Sequence, residues 1–389
     1  MTKTVSPQPE IKGWCPGALR PMMSGDGLVV RVRPRGGRLT QDQARGIADL
    51  SMRFGNGLID LSARANVQLR GVTPDSHGPL IAGLRALGLI DASTEAEARR
   101  NVVVTPFWLP EDGTAGIVSS LTDALVAAAA PQTPGKFGYA VDCGPKPALR
   151  DTSADIRIER DEKGGLIVRA DGAFCGAQVT ADTAAETALT LARWFLSSGG
   201  APDGRGRMAA HLARGARLPD AFTRAKAQVN SIPAPAPGLL PQGMLVGFEF
   251  GQMQAKTLSV LAESGPLRIT PWRMILIEDA VTIPEISGLI THTDDPRRRV
   301  IACTGAPGCP QALAPTRPLA RQLAPLVPSG QSLHISGCAK GCAHPGPSPF
   351  TLVGRTGGLF DLIRGGTATD PPFRTGLAPA DLTPALFAD

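Results

Sequence analysis

The sequence predicts a duplicated α+β protein, and three observations carry that prediction. Two stretches about 200 residues apart hold the same order of elements, each runs on into a group of arginines and an apolar strand, and a proline-rich segment lies between them. In the first stretch an alternating strand is expected at 28–33, followed by a helix N-capped by Thr40 with Ile47, Leu50 and Phe54 at three- and four-residue spacing. A second strand is expected from Leu58 through "LSARANVQL". In the second stretch, "PQGMLVGFEFGQMQAKTLSVLAESGPLRITPWRMILIEDA" predicts a strand at 244–250, a helix at 254–262 and a strand at 267–277. The continuations are "RRNVVVTPF" and "RRRVIACTGAPGC", and "NSIPAPAPGLLPQG" at 230–243 reads as the linker.

Bulk properties fit a chain of this kind. At 389 residues it exceeds the roughly 250–300 residues at which single cores stop growing, so more than one domain is expected. With 42% hydrophobic and 19% charged residues, and 45 Gly and 36 Pro, it is globular and loop-rich rather than disordered. No apolar run approaches the ~18–20 residues that span a bilayer, and "MTKTVSPQPEIKGW" lacks the apolar core of a secretory signal, so the expectation is a cytoplasmic protein without a membrane partner. The net charge of +6 raises the question of nucleic acid. The arginines, however, stand in short groups such as "RVRPRGGR" and "GRGR", and one Tyr and four Trp give little stacking surface, so no nucleic-acid partner is expected. Arginine groups suit a polyanionic small molecule, whose carboxylates they match in a bidentate way.

Four of the seven cysteines fall within positions 303–342, as Cys303-x5-Cys309 and Cys338-x3-Cys342. In a reducing compartment such a cluster holds metal or does redox chemistry more often than it forms disulfides. Structural zinc sites favour C-x2-4-C spacing, which the first pair does not have. Four thiolates in turns rich in Gly and Pro suit an iron-sulfur cluster. Cys15, Cys143 and Cys175 are assigned no role.

The pattern C-x5-C, 28 intervening residues, C-x3-C resembles the cluster motif of the sulfite and nitrite reductase superfamily. Within it, "WCPGALRPMMSGDGLVVRVRPRGGRL" and "GCAKGCAHPGPSPFTLVG" are similar to one branch, the precorrin-3B synthases. The resemblance implies two ferredoxin-like half-domains and two larger α+β domains related by a pseudo-twofold axis. They are expected at 15–90 and 244–297 for the half-domains, at 91–229 for the larger domain without cluster cysteines, and at 298–389 for the cluster domain. It implies that Cys303, Cys309, Cys338 and Cys342 bind a 4Fe-4S cluster. It further implies that Arg64, with Gln68 in "LSARANVQL", Arg100 and Lys136 form the cationic pocket of the active site, converging on one cleft that faces the cluster. Where the family's K-F-K motif has its second Lys, this chain has Gly138, which is expected to weaken a sulfite pocket and to leave space beside Lys136.

For this branch the resemblance implies oxygen-dependent hydroxylation of precorrin-3A at C20 with lactone formation, in aerobic cobalamin biosynthesis. The partners are O2 and an external electron donor, either reduced nicotinamide through a reductase or a ferredoxin-like protein. A mononuclear non-haem iron accompanies the cluster. Of the five histidines, His292 (with Asp294) and His344 are weighed as its ligands, and neither is assigned. Two alternatives stand beside this reading: a sirohaem-dependent sulfite or nitrite reductase, and an electron-transfer protein.

Overall fold

The computed structural model describes residues 15–387, and its four sheets form two matched pairs. The first sheet runs Met22–Ser24, Gly27–Val32, Val67–Val72, Leu58–Leu61, Gln252–Gln254. The second runs Gly238–Leu240, Gly243–Phe248, Met274–Glu278, Leu267–Ile269, Arg38–Leu39, with Leu289–Ile290 also paired to Gly243–Phe248. Each sheet thus takes its last strand from the other half of the sequence. Gln252–Gln254 lies antiparallel to Leu58–Leu61, and Arg38–Leu39 lies antiparallel to Leu267–Ile269.

The same local device sends both strands across. A single 3-10 turn precedes each, Arg35–Gly37 and Glu249–Gly251, and its middle residue has a left-handed backbone: Gly36 at φ 62° and Phe250 at φ 57°. Glycine adopts that conformation without a Cβ clash, whereas phenylalanine is strained there. A helix follows each exchanged strand. Gln41–Phe54 opens on a capping box in which Thr40 accepts from the Gln43 N–H and the Gln43 side chain accepts from the Thr40 N–H. It buries Ala44, Ile47, Ala48 and Leu50, and Ala255–Glu263 buries Leu258, Leu261 and Ala262 in the same core.

Two expected single strands are hairpins. The residues after Leu58 form Leu58–Leu61 and Val67–Val72 around a turn in which Ser62 Oγ accepts from the Arg64 and Asn66 N–H groups. The stretch 267–277 likewise divides into Leu267–Ile269 and Met274–Glu278. Neither turn carries a glycine to mark it, and each contains a non-glycine residue at positive φ, Ala65 at 53° and Arg273 at 60°. The proline-rich segment ends in the edge strand Gly238–Leu240.

The third and fourth sheets repeat one another. Three parallel strands, Val102–Val104, Tyr139–Asp142 and Ile156–Arg160, continue into antiparallel Leu166–Ala170, Cys175–Val179 and Ala225–Lys226. In the fourth sheet Val300–Ala302, Leu333–Ser336 and Ser348–Gly354 are parallel, and Phe360–Gly366 and Arg374–Leu377 antiparallel. Registers match as well: Val102 faces Tyr139 as Val300 faces Leu333. The sequence therefore builds one architecture twice.

Candidate functional site

The cysteines lie at the ends of the parallel strands of the fourth sheet. Cys303 follows Val300–Ala302 and donates its N–H to the Ile335 carbonyl at 3.2 Å; Cys338 comes two residues after Leu333–Ser336. The Gly337 N–H donates to Cys303 Sγ at 3.1 Å, and Thr316 Oγ1 donates to the Cys303 carbonyl at 2.7 Å. The first half grips the loop between Cys303 and Cys309. Ser24 Oγ, the Gly25 N–H and Arg70 Nη2 all donate to the Gly308 carbonyl, at 2.6, 3.1 and 3.1 Å.

Burial pushes the Cys338 and Cys342 thiols up, and both also feel Cys303 and Cys309. The four sulfurs therefore share one neighbourhood. Among the described residues no three His, Cys, Asp or Glu side chains are placed to hold a single metal ion. A zinc-like site needs ligands converging on one point, whereas the irons of a cubane take one thiolate each. The donor set of four thiols, with a backbone N–H already directed at a sulfur, fits the cluster.

Beside these loops lies a cleft of about 360 Å³ lined from both halves. Four arginines line it, Arg31, Arg64, Arg273 and Arg317, together with Cys15, Cys303 and Cys342. Asp60 is the one carboxylate among the described lining residues, and it is already engaged by Gln252 Nε2 at 2.8 Å, Arg317 Nη2 at 3.3 Å and Arg70 Nη1 at 3.4 Å. The exchanged strand sets this up, because Gln252 pairs with Asp60 in the ladder.

The other three guanidinium groups donate to neutral acceptors. Arg31 donates to Gln68 Oε1 from Nε at 3.0 Å and Nη2 at 2.5 Å, Arg273 to the Ala343 carbonyl at 3.1 Å, and Arg64 to the Lys136 carbonyl at 2.8 Å. Burial lowers the pKa of all three, that of Arg31 to about 10. Desolvated cations held on carbonyls and amides make an anion host, since an incoming carboxylate supplies the missing countercharge.

The expected pocket residues part company here. Arg64 lines the cleft, though from the hairpin turn and not from a strand, and Gln68 lines it from Val67–Val72. Lys136 stands next to Arg64 through its carbonyl, with an exposed side chain. Arg100 does not line the cleft: it is buried in a bidentate pair with Asp91, Nε to Oδ1 and Nη2 to Oδ2, both at 2.8 Å. Gly138 opens no space beside Lys136. It is buried, its N–H donates to Asp155 Oδ2 at 2.9 Å, and a Cβ there would lie 2.8 Å from Asn101 Nδ2.

Arg31 opens the group "RVRPRGGR" that the charge pattern matched to a polyanionic ligand, whereas Arg273 and Arg317 escaped sequence reasoning because each comes from a different element. One signal was available for Arg273: it ends the second-half hairpin turn that corresponds to the turn holding Arg64.

The histidines scatter. His77 contacts the Ala18 carbonyl and His211 contacts Ser198 Oγ, while His292 lines a different cavity. His334 and His344 alone among the described residues have their rings together, with centroids 5.7 Å apart. His334 is fully buried with neither ring nitrogen hydrogen-bonded. Two imidazoles without a third ligand do not make the two-histidine, one-carboxylate face of a mononuclear iron site, so the second iron gains no assigned ligands. Cys143 is buried and its thiol is pushed up to about 12, which leaves it inert.

Comparison with known proteins agrees with the geometry. The family described as nitrite/sulfite reductase ferredoxin-like half domain matches residues 20–87. A precorrin-3B synthase from Sinorhizobium sp. is 29% identical over 401 aligned residues, covering 93% of this chain and 84% of that protein. The solved NirA protein of Mycobacterium tuberculosis superposes with a TM-score of 0.62 at 18% identity, over 91% of this chain and 78% of that one. No described helix is long and apolar enough to cross a membrane. The chain has a sulfite/nitrite reductase-like fold, is matched at residues 20–87 by the ferredoxin-like half-domain family, and is similar to a precorrin-3B synthase over 93% of its length.

Proposed function

We propose that the chain is a precorrin-3B synthase, a monooxygenase that hydroxylates precorrin-3A at C20 and forms the lactone, with Cys303, Cys309, Cys338 and Cys342 holding a 4Fe-4S cluster. The observation that carries this is the cleft, in which Arg31, Arg64 and Arg273 rest on neutral acceptors next to Cys303 and Cys342. A tetrapyrrole with several carboxylates meets that need at several points, and similarity to a precorrin-3B synthase across 93% of the chain supports the choice. Bound there, the cluster supplies single electrons. Arg31, Arg64 and Arg273 take up carboxylates and hold the macrocycle. Guanidinium groups that stay charged at neutral pH also stabilise negative charge developing on reduced oxygen. Arg317 and Gln252 hold the Asp60 carboxylate turned toward themselves.

Incubation with precorrin-3A, reductant and isotopically labelled O2, followed by mass spectrometry, tests the proposal. One labelled oxygen atom in the product supports it. Unlabelled product, or sulfite or nitrite consumption with strong sirohaem bands in the visible spectrum, points to the reductase instead.

A further inference from the structure

The family-like motif lacks one cation at Gly138, and the fold brings another to the same place from a distant element. Asp155, fully buried, accepts from the Gly138 N–H with Oδ2, and Arg207 Nε donates to Asp155 Oδ1 at 2.9 Å and to Oδ2 at 3.1 Å. Arg207 sits before the helix Met208–Ala213, whose first N–H also donates to Asp155 at 2.8 Å. Gly206 makes the approach possible, because a Cβ there would lie 1.9 Å from the Gly200 carbonyl.

The second edge of the Arg207 guanidinium turns toward Arg64, which lines the cleft. Nη2 donates to Ser153 Oγ at 3.0 Å and to the Ala154 carbonyl at 3.0 Å. Arg64 Nη2 reaches the same Ser153 Oγ at 3.5 Å. Two guanidinium groups therefore meet on one hydroxyl, and the charge of Arg207 is one of the causes that lower the Arg64 pKa, after burial. Asp155 bonds directly to Arg207 and reaches Arg64 only through space, as a weaker influence than Arg207 itself; the hydrogen bonds of Arg64 go to an uncharged carbonyl and hydroxyl. The Arg207 side chain keeps 35% of its exposure, and Ser153 is exposed, so the pair is open to a ligand. Adjacent like charges on an accessible surface are costly unless something negative lies between them.

We propose that Arg64 and Arg207, bridged by Ser153, form a clamp for one oxyanion group of the ligand, which under the tetrapyrrole reading above is a peripheral carboxylate. Arg207 thereby takes the part that the sequence motif gave to Arg100 and that Gly138 cannot take. Guanidinium forks bind carboxylate through paired, charge-assisted hydrogen bonds, so losing one arm weakens binding about tenfold or more.

The test uses the cluster-loaded full chain, with uroporphyrin as a stable polycarboxylate probe and sulfite as a small oxyanion probe. Affinity is measured for the wild type, Arg207→Gln and Ser153→Ala at several salt concentrations. The proposal expects uroporphyrin to bind Arg207→Gln about tenfold or more weakly with a shallower salt dependence, and Ser153→Ala to lose less. Thermal unfolding of each variant shows whether a loss reflects folding; Ser153→Ala leaves the Asp155 contacts in place and keeps the test open if Arg207→Gln unfolds, its weakened binding supporting the clamp and unchanged binding overturning it. Sulfite binding that weakens in Arg207→Gln, with no uroporphyrin binding in any form, keeps the clamp and removes the tetrapyrrole reading. Equal affinity of wild type and Arg207→Gln for both probes overturns the clamp, as does a wild type that binds neither.

Discussion

Cys303 stands in the second half of the molecule where Thr105 stands in the first. Each is the residue after the first parallel strand of its sheet, and each donates its N–H to the neighbouring strand, Thr105 to the Val141 carbonyl at 2.9 Å and Cys303 to the Ile335 carbonyl at 3.2 Å. By the same register Gly144 stands for Cys338. The fold thus offers two equivalent strand-end platforms, of which one carries thiols.

Replacement of Cys303, Cys309, Cys338 or Cys342 by Ser is expected to remove iron and acid-labile sulfide together with the broad cluster absorbance, whereas Thr105→Ser leaves both at wild-type levels. Iron and sulfide assays on the purified proteins check this. Wild-type contents in all four cysteine variants would refute the assignment.

Arg64 and Arg100 should fail in different ways. Removing Arg100 takes the bidentate partner from the buried Asp91 carboxylate and leaves it the longer contact to Arg35 at 3.8 Å, at a cost of up to about 3–5 kcal/mol in folding free energy. Removing Arg64 deletes hydrogen bonds at a half-exposed turn and is expected to cost within about 0.5 kcal/mol, while ligand affinity falls. Denaturant unfolding of Arg64→Ala and Arg100→Ala, beside porphyrin binding, separates the two.

Gly138→Lys is expected not to restore a sulfite pocket. The new Cβ meets Asn101 Nδ2 at 2.8 Å in a buried site, and forced overpacking of this kind costs about 1–3 kcal/mol. Gly138→Ala should already lower the thermal midpoint; an unchanged midpoint would show that Asn101 yields freely.

His334 makes folding sensitive to acid. Burial, followed by the charges of His344 and Arg273, lowers its pKa from 6.5 to about 4. The folded chain keeps the imidazole neutral while the unfolded chain takes up a proton, so full stability holds above about pH 6.5 and falls as pH drops toward 4. The loss over that window is about 3 kcal/mol. His334→Leu is expected to show a smaller fall between pH 7 and 4.5, read from urea midpoints.

The duplication was legible because amphipathic periodicity marks strand and helix order wherever it occurs; Thr40, Ile47 and Leu50 play the parts their spacing assigned. The exchange of Arg38–Leu39 and Gln252–Gln254 was not, since strands of two and three residues carry no period and their partners lie over 190 positions away. The cleft was half legible. Arg64 was found through its motif, but a motif says nothing of counter-ions: nothing in "RRNVVV" reveals that Asp91 claims Arg100, or that Asn101 closes the space at Gly138. For Arg273 the signal was its place in the matching hairpin turn, and Arg207, although one of the "GRGR" arginines, is brought beside Arg64 only by tertiary placement.

The traded edge strands bind the two halves as obligate partners. Severed within the proline-rich segment, each half would show a bare row of amides and carbonyls along Leu58–Leu61 or Leu267–Ile269, ready to pair with any stray strand. Joining them in one chain gives each edge its proper mate at high effective concentration, as a fused swapped dimer does. The hairpin that grips Gly308 and the loop that carries the cysteines then come together as parts of a single assembly event.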